Sequence, residues 1–333
     1  MQNQDRPIAF FDSGLGGISV LRETVRLLPQ ENYLYYGDSL HAPYGVRPEA
    51  EIRALAGAAA EQLVQAGAKA LVVACNTATS AAIVQLREAY PDIPVIGTEP
   101  ALKPAVEKYP GGRILVMATP MTIRQEKFQA LKAQYDDQAE IIGLACGGLM
   151  EFVERGELRG EALDAYLFDK LGPYLKVPVD AIVLGCTHYP FLTGAIRRIV
   201  GRRPEILDGS HGVAMQLGRR LAAAGMLRTQ GGAGTVEFRN SLGAGDPCAQ
   251  PRAAAISGRL KSAALPGGTF FRKKSKKGLH FFCRVCYTVL VRSCVYPGKK
   301  EEAYVFSWRI YYLRRGRRVR GRGSRKAESC RSR

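Results

Sequence analysis

Three observations predict an α/β fold built from two similar parallel-sheet halves. Up to about residue 240, short apolar runs alternate with amphipathic stretches, the pattern of parallel strands joined by helical crossovers. Two of those runs echo each other at a spacing of 111 residues: Ala70-Leu-Val-Val-Ala-Cys75-Asn76-Thr77 and Ala181-Ile-Val-Leu-Gly-Cys186-Thr187-His188. Charge is also partitioned. Residues 1–240 hold 25 Lys/Arg and 26 Asp/Glu, whereas residues 241–333 hold 23 and 4, so the whole basic excess of a chain of net charge +18 lies at its C-terminal end.

The apolar runs place strands at Ile8–Phe11, Tyr33–Tyr36, Ala70–Ala74, Val95–Gly97, Arg113–Met117, Glu140–Leu144 and Ala181–Leu184, with a short addition at Val236–Phe238. Helical periodicity covers Gly17–Leu28, Pro48–Gln65, Ala78–Ala89, Pro120–Gln134, Gly160–Leu171 and Gly209–Ala224. Prolines and glycines near Pro94–Pro104 and Arg202–Gly209 mark crossing points between the halves. The expected organisation is a first domain of residues 1–97 plus 208–260, a second of 98–207, and a basic tail of 261–333.

The tail follows a different grammar. Phe270-Phe271-Arg-Lys-Lys-Ser-Lys-Lys and Arg314-Arg-Gly-Arg-Arg-Val-Arg-Gly-Arg are like-charge blocks, which usually stay disordered. Between them no helix or strand period is sustained. His280, Cys283, Cys286 and Cys294 supply zinc-ligand types, but one CxxC with loose followers is a weak signal. Aromatics mixed with Arg and Lys also suit phosphate contacts, so a nucleic-acid partner is an alternative reading of the tail alone. Unperiodic, Arg- and Gly-rich, Cys-sprinkled sequence is what a shifted frame in a GC-rich gene yields, and we expect a frameshifted, disordered tail.

At 333 residues the length fits about two domains. No apolar run reaches the eighteen residues of a membrane span, and the polar start Met1–Pro7 leads into a strand rather than a signal peptide. A cytoplasmic enzyme with reduced thiols and no membrane partner is therefore expected.

Each echo ends a buried strand with a thiol, at the edge where open α/β sheets bind ligands. Either cysteine alone reads equally well as a small buried core residue. Together, and followed by Asn-Thr or Thr-His, they suit one chemistry in particular. A stereocentre beside a carboxylate inverts by losing a proton from one face and gaining one on the other, which needs two acid/base groups on opposite sides. A free thiol of pKa near 8.5 is only about 3 % thiolate at pH 7, so the site must help. The start of the helix after each cysteine is expected to stabilise the anion. Neither cysteine has metal-ligand spacing around it, and Cys146, in Leu144-Ala-Cys146-Gly-Gly, lacks polar followers and reads as packing.

The glycine-rich Asp12-Ser-Gly-Leu-Gly-Gly17 fails as a nucleotide loop, since Ser19 stands where the third glycine is needed and no GK[ST] follows. Its glycines are expected to let backbone N–H groups approach a substrate carboxylate.

Phe11-Asp12-Ser13-Gly14-Leu-Gly16-Gly17, Tyr36-Gly37-Asp38-Ser39, Pro43-Tyr44-Gly45, Ala74-Cys75-Asn76-Thr77-Ala78-Thr79 and Gly185-Cys186-Thr187-His188-Tyr189-Pro190 together resemble the glutamate racemases over residues 7–240. The resemblance implies two α/β domains related by a pseudo-twofold, with the site in the cleft between them. It also implies cofactor-independent interconversion of L- and D-glutamate for peptidoglycan synthesis, and a homodimer. Cys75 and Cys186 would be the proton donor/acceptors, assisted by Asp12 and His188 on their respective sides. Ser13, Tyr44, Gly45, Asn76, Thr77 and Thr187 would join Asp12 and His188 in holding the substrate. Asp38 and Glu154 match further acidic positions of the family. Related aspartate racemases commonly carry Glu where His188 stands, which favours glutamate over aspartate or another amino acid as substrate.

Each residue has a plainer reading. Asp12 could cap the following helix, Pro43-Tyr44-Gly45 could be only a turn, His188 a satisfied polar group, and Asp38 and Glu154 structural acids.

Overall fold

The computed structural model describes residues 3–242 and two short strands near the C-terminus. In the first half, β1 (Ile8–Asp12), β2 (Tyr33–Gly37), β3 (Ala70–Val73), β4 (Val95–Gly97) and β9 (Val236–Asn240) form one sheet in the order β4-β3-β1-β2-β9. In the second, β5 (Arg113–Ala118), β6 (Glu140–Ala145), β7 (Ala181–Leu184) and β8 (Glu205–Asp208) form another in the order β6-β5-β7-β8. Every pairing in both sheets is parallel. Read from the far edge, β8-β7-β5-β6 repeats β4-β3-β1-β2, so the two halves share one winding and β9 is an added edge. Each cysteine follows the strand beside its sheet's first strand in sequence, β3 beside β1 and β7 beside β5.

Strands β1, β3 and β7 are buried along their whole length, as expected of parallel strands covered on both faces. On one side of the first sheet lie α2 (Glu49–Gln65) and α3 (Asn76–Ala89), packed over Phe11, Leu71 and Val73. On the other lie α1 (Ile18–Leu27) and α10 (Ser210–Ala223), packed over Ile8, Phe10 and Val72. Helix α10 therefore returns the chain to the first half directly after β8.

Three short helices, α4 (Leu102–Lys108), α7 (Leu149–Glu154) and α9 (Thr193–Val200), and the strand β8 were not predicted from periodicity. Six to eight residues give little more than two turns, and β8, Glu205-Ile-Leu-Asp, is an edge strand with acidic ends and only partial burial. The 111-residue offset would have found two of them, because it carries β4 onto residues 206–208 and the end of α3 onto residue 200.

The predicted helix Pro120–Gln134 is two helices, α5 (Pro120–Arg124) and α6 (Glu126–Ala133), broken where Gln125 is extended at φ −67°, ψ 140°. The break serves packing. Thr122 faces the hydroxyl of Thr77 in the first half, while Phe128 is buried under the second sheet. Six residues apart on an unbroken helix, the two would point about 120° apart.

At the N-terminal edge of the first sheet, Lys69 is wholly buried. Its ammonium bonds Glu31 at 2.5 Å, the Gln4 carbonyl at 2.6 Å and the Met226 carbonyl at 2.8 Å. The second oxygen of Glu31 accepts the Arg228 N–H at 2.8 Å. The pair thus ties the chain start, β3 and the segment after α10 together.

Separately, β10 (Tyr312–Arg314) and β11 (Arg317–Val319) pair antiparallel, a local order the unperiodic sequence did not announce. The expectations for the zinc-ligand types, nucleic-acid contacts and a frameshifted, disordered tail otherwise lie outside the described residues. Among the described residues no helix is long and apolar enough to cross a membrane.

Lys69→Ala leaves the Glu31 carboxylate buried without its cation, a change that costs about 3–5 kcal/mol. Urea unfolding should show that loss as a lowered midpoint, and an unchanged midpoint would mean the pair holds nothing together.

Candidate active site

The C-terminal ends of β1, β3 and β7 converge on one cleft between the halves. Cys75 and Cys186 both line it, together with Ser13, Tyr44, Gly45, Asn76, Thr77, Thr187 and His188. Nine residues singled out in the sequence therefore share one cavity. Asp12, Asp38 and Glu154 do not line it; each stands behind a residue that does.

The two thiols sit in different surroundings. Cys75 is the residue before α3, and its sulfur accepts the Ala78 N–H at 3.5 Å, as an N-cap does. Its own proton points to the Ser13 hydroxyl at 3.5 Å. Burial, and after it the nearby Asp12 charge, push the thiol up to about 11. Cys75 therefore holds its proton at neutral pH.

Cys186 has no such cap. A single-turn 3-10 helix, Tyr189–Leu192, intervenes before α9, so the expected help from a helix start is present on the Cys75 side only. What faces the Cys186 sulfur is His188 Nδ1 at 3.7 Å. His188 Nε2 in turn meets Glu154 Oε1 at 2.7 Å. Burial opposes a charge on His188, but the bonds to Cys186 and Glu154 outweigh it and hold the imidazole well above its ordinary pKa. Glu154–His188–Cys186 is a chain along which a proton can move.

Asp12 is fully buried, which raises its pKa against the pull of His188, the Gly14 N–H and the Thr187 hydroxyl. The Gly14 N–H and the Thr187 hydroxyl each reach it at 3.0 Å. It was expected to assist Cys75 on its own side. One of its hydrogen bonds stays in its own loop at Gly14 and the other crosses to Thr187 in the second half, and its charge acts on Cys75.

The glycine loop also carries contacts with the second half. A Cβ at Gly14 would overlap the Glu154 carboxylate, and one at Gly16 would overlap His188 Nδ1 and Thr187 Oγ1. The N–H of Leu15 does approach a carboxylate, at 2.8 Å, but it is that of Glu154. These glycines make room for side chains from the other half of the chain.

Asp38 accepts the Tyr44 hydroxyl at 2.7 Å and contacts His41 Nδ1 at 2.9 Å, so it fixes Tyr44 at the cleft wall. Thr119, Met150 and Gly185 also line the cleft and were not singled out. Gly185 stood inside a quoted motif. Thr119 follows β5 where Ser13 follows β1, an equivalence visible only once the strands are placed. Thr119 donates to Thr122 at 3.0 Å and lies 3.4 Å from the Thr77 hydroxyl. Met150 follows an irregular loop and carried no signal. Among the described residues no group of His, Cys, Asp and Glu side chains is arranged to hold a metal ion.

The family described as Asp/Glu/Hydantoin racemase matches residues 15–217. The chain belongs to that family. It is 52 % identical over 239 residues to the glutamate racemase of Clostridium perfringens, covering 72 % of this chain and 92 % of that one. Among solved structures, Escherichia coli glutamate racemase in complex with L-glutamate and the activator UDP-MurNAc-Ala aligns with a TM-score of 0.65 at 30 % identity, covering 77 % of this chain and 95 % of that one. Glutamate racemase from Francisella tularensis in complex with D-glutamate aligns at 0.66 and 26 % identity, covering 78 % and 94 %. This family places two parallel-sheet α/β domains around its site, as found here.

Gly16→Ala would push His188 and Thr187 out of place without touching either sulfur. Turnover should fall by about 10²-fold, the scale of a 1 Å misplacement, with an unchanged far-ultraviolet circular dichroism spectrum. Full turnover in that variant would show that the close approach has no catalytic weight.

Proposed function

We propose that the protein is a glutamate racemase acting by cofactor-independent two-base proton transfer between Cys75 and Cys186. The observation that carries this reading is the placement of both thiols on one cleft, at equivalent strand ends of two similarly wound halves. One sulfur, as thiolate, takes the proton from the glutamate α-carbon, and the C–H electron pair stays on that carbon. The other, as thiol, gives its proton to the opposite face. The product leaves with inverted configuration and the two sulfurs have exchanged protonation states.

The surroundings fit these roles. Cys75, pushed up to about 11, is suited to give its proton when the substrate is deprotonated from the Cys186 side, and the roles reverse for the other enantiomer. His188, backed by Glu154, is placed to take up and return the Cys186 proton. Asp12, whose pKa burial raises, serves the Cys75 side by its charge. Ser13, Tyr44, Gly45, Asn76, Thr77 and Thr187 supply the hydroxyl, amide and backbone groups that an amino acid with two carboxylates requires. Asp38 and Glu154 act at one remove, positioning Tyr44 and His188.

Glutamate rather than aspartate is favoured by the relatives, whose structures hold both enantiomers of glutamate. A role in supplying D-glutamate for peptidoglycan, a cytoplasmic location and a homodimer belong to the same reading.

Circular dichroism of pure L- or D-glutamate with the purified full chain should decay to zero ellipticity, and aspartate should decay far more slowly. Cys75→Ser and Cys186→Ser should each lower turnover by about 10²–10⁴-fold, the weight of one acid/base group. Racemisation that keeps its unsubstituted rate after either substitution would refute the two-thiol mechanism.

A further inference from the structure

We propose that a second cavity gives the Cys186 proton, and not the Cys75 proton, a path to solvent water while substrate is bound. The inference rests on the two-thiol reading above. A second, small cavity lies against the cleft and shares Asn76, Cys186 and Thr187 with it. Its other walls come from α1, the end of β4 and the β8–α10 turn, through Ser19, Thr98, Asp208 and Ser210. Cys75 is not among its lining residues.

Three features make it a place for water. Its walls present hydroxyls and a carboxylate, and its volume of about 10 Å³ gives room for a single water with several polar partners. Asp208 is exposed, so the cavity reaches the surface beside it. Asn76, only 7 % exposed, lines both cavities, and its Oδ1 has no hydrogen-bond partner within the protein. An unpaired buried amide oxygen costs about 1–3 kcal/mol, so this side chain calls for a donor from outside the fold.

The rest of the wall is rigid. Ser19 donates to the carbonyls of Gly16 and Thr187, both at 2.9 Å, and the Ser210 N–H is fixed on Asp208 at 2.8 Å. Cys186 thus stands between substrate on one side and water on the other, with His188 as its proton partner. Once Cys186 has taken the α-proton, the thiol S–H trades its proton for a solvent deuteron, giving S–D and HOD, and can return the deuteron to the same face. Cys75 faces only the cleft, which the substrate closes, so its proton returns unexchanged.

The test is deuterium wash-in at the α-carbon in D₂O, followed by proton nuclear magnetic resonance with pure L- or D-glutamate and full-length protein. Cys75→Ser keeps Cys186 and should wash deuterium into one enantiomer. Cys186→Ser keeps Cys75 and should exchange the other enantiomer at least about tenfold more slowly, a gap of about 1.4 kcal/mol in barrier. Filling the second cavity by Thr98→Leu should slow wash-in in the Cys75→Ser background and leave it unchanged in the Cys186→Ser background. Should Thr98→Leu fail to fold, Ser210→Val fills the same cavity from the α10 end. Equal wash-in by the two cysteine variants, or wash-in indifferent to filling, overturns the second path. Racemisation by either cysteine variant at the unsubstituted protein's rate overturns the two-thiol reading itself, so the two failures are distinct.

Discussion

The docking of Glu154, Thr187 and His188 into the glycine loop that follows β1 is the contact on which the site depends. Asp12 and His188 are almost entirely buried, and buried charges persist only when paired and hydrogen-bonded. Here the pairing crosses between the halves. Thr187 reaches Asp12, Glu154 reaches the Leu15 N–H, and Ser19 reaches the Thr187 carbonyl. A side chain at Gly14 or Gly16 would occupy the space these groups need. The fold thereby assembles from two distant stretches of sequence a site that neither half contains alone.

Much of this was legible in the sequence because the repeat is legible. The two apolar runs ending in cysteine are parallel strands buried on both faces, and their continuous aliphatic character announces that environment. Most motif residues that meet in the cleft stand at strand ends, where side chains leave the sheet; Tyr44 and Gly45 come from a 3-10 turn after β2. What escaped was of two kinds. Short elements such as β8 and α7 carry too few turns or alternations for a period to show, although the repeat offset reaches β8. Contacts across the two halves escaped for a different reason. Nothing in Asp12-Ser-Gly-Leu-Gly-Gly17 says that the carboxylate meeting its N–H groups belongs to Glu154, 139 residues away.

The echo also concealed a difference. Equivalent topology puts both sulfurs at the same point of each half, but the residues after them diverge. Asn76 lets α3 begin at once, so Cys75 caps it. Thr187, His188 and a 3-10 turn delay α9, so Cys186 faces an imidazole instead. One thiol is held by a neutral hydroxyl and a backbone N–H near the Asp12 charge, the other by a proton-carrying side chain with a carboxylate behind it. Two-fold symmetry of the backbone accommodates two unlike acid/base groups.

That inequivalence is measured most directly by alkylation. Only the thiolate reacts with iodoacetamide, so the pH dependence of modification at Cys75, resolved by peptide mass spectrometry on the substrate-free protein, reports its ionisation. With the thiol pushed up to about 11, the rate at Cys75 should rise about tenfold per pH unit from pH 7 to pH 10 without levelling. A plateau below pH 9 would contradict the account, because burial and the Asp12 charge would then not be raising the Cys75 thiol.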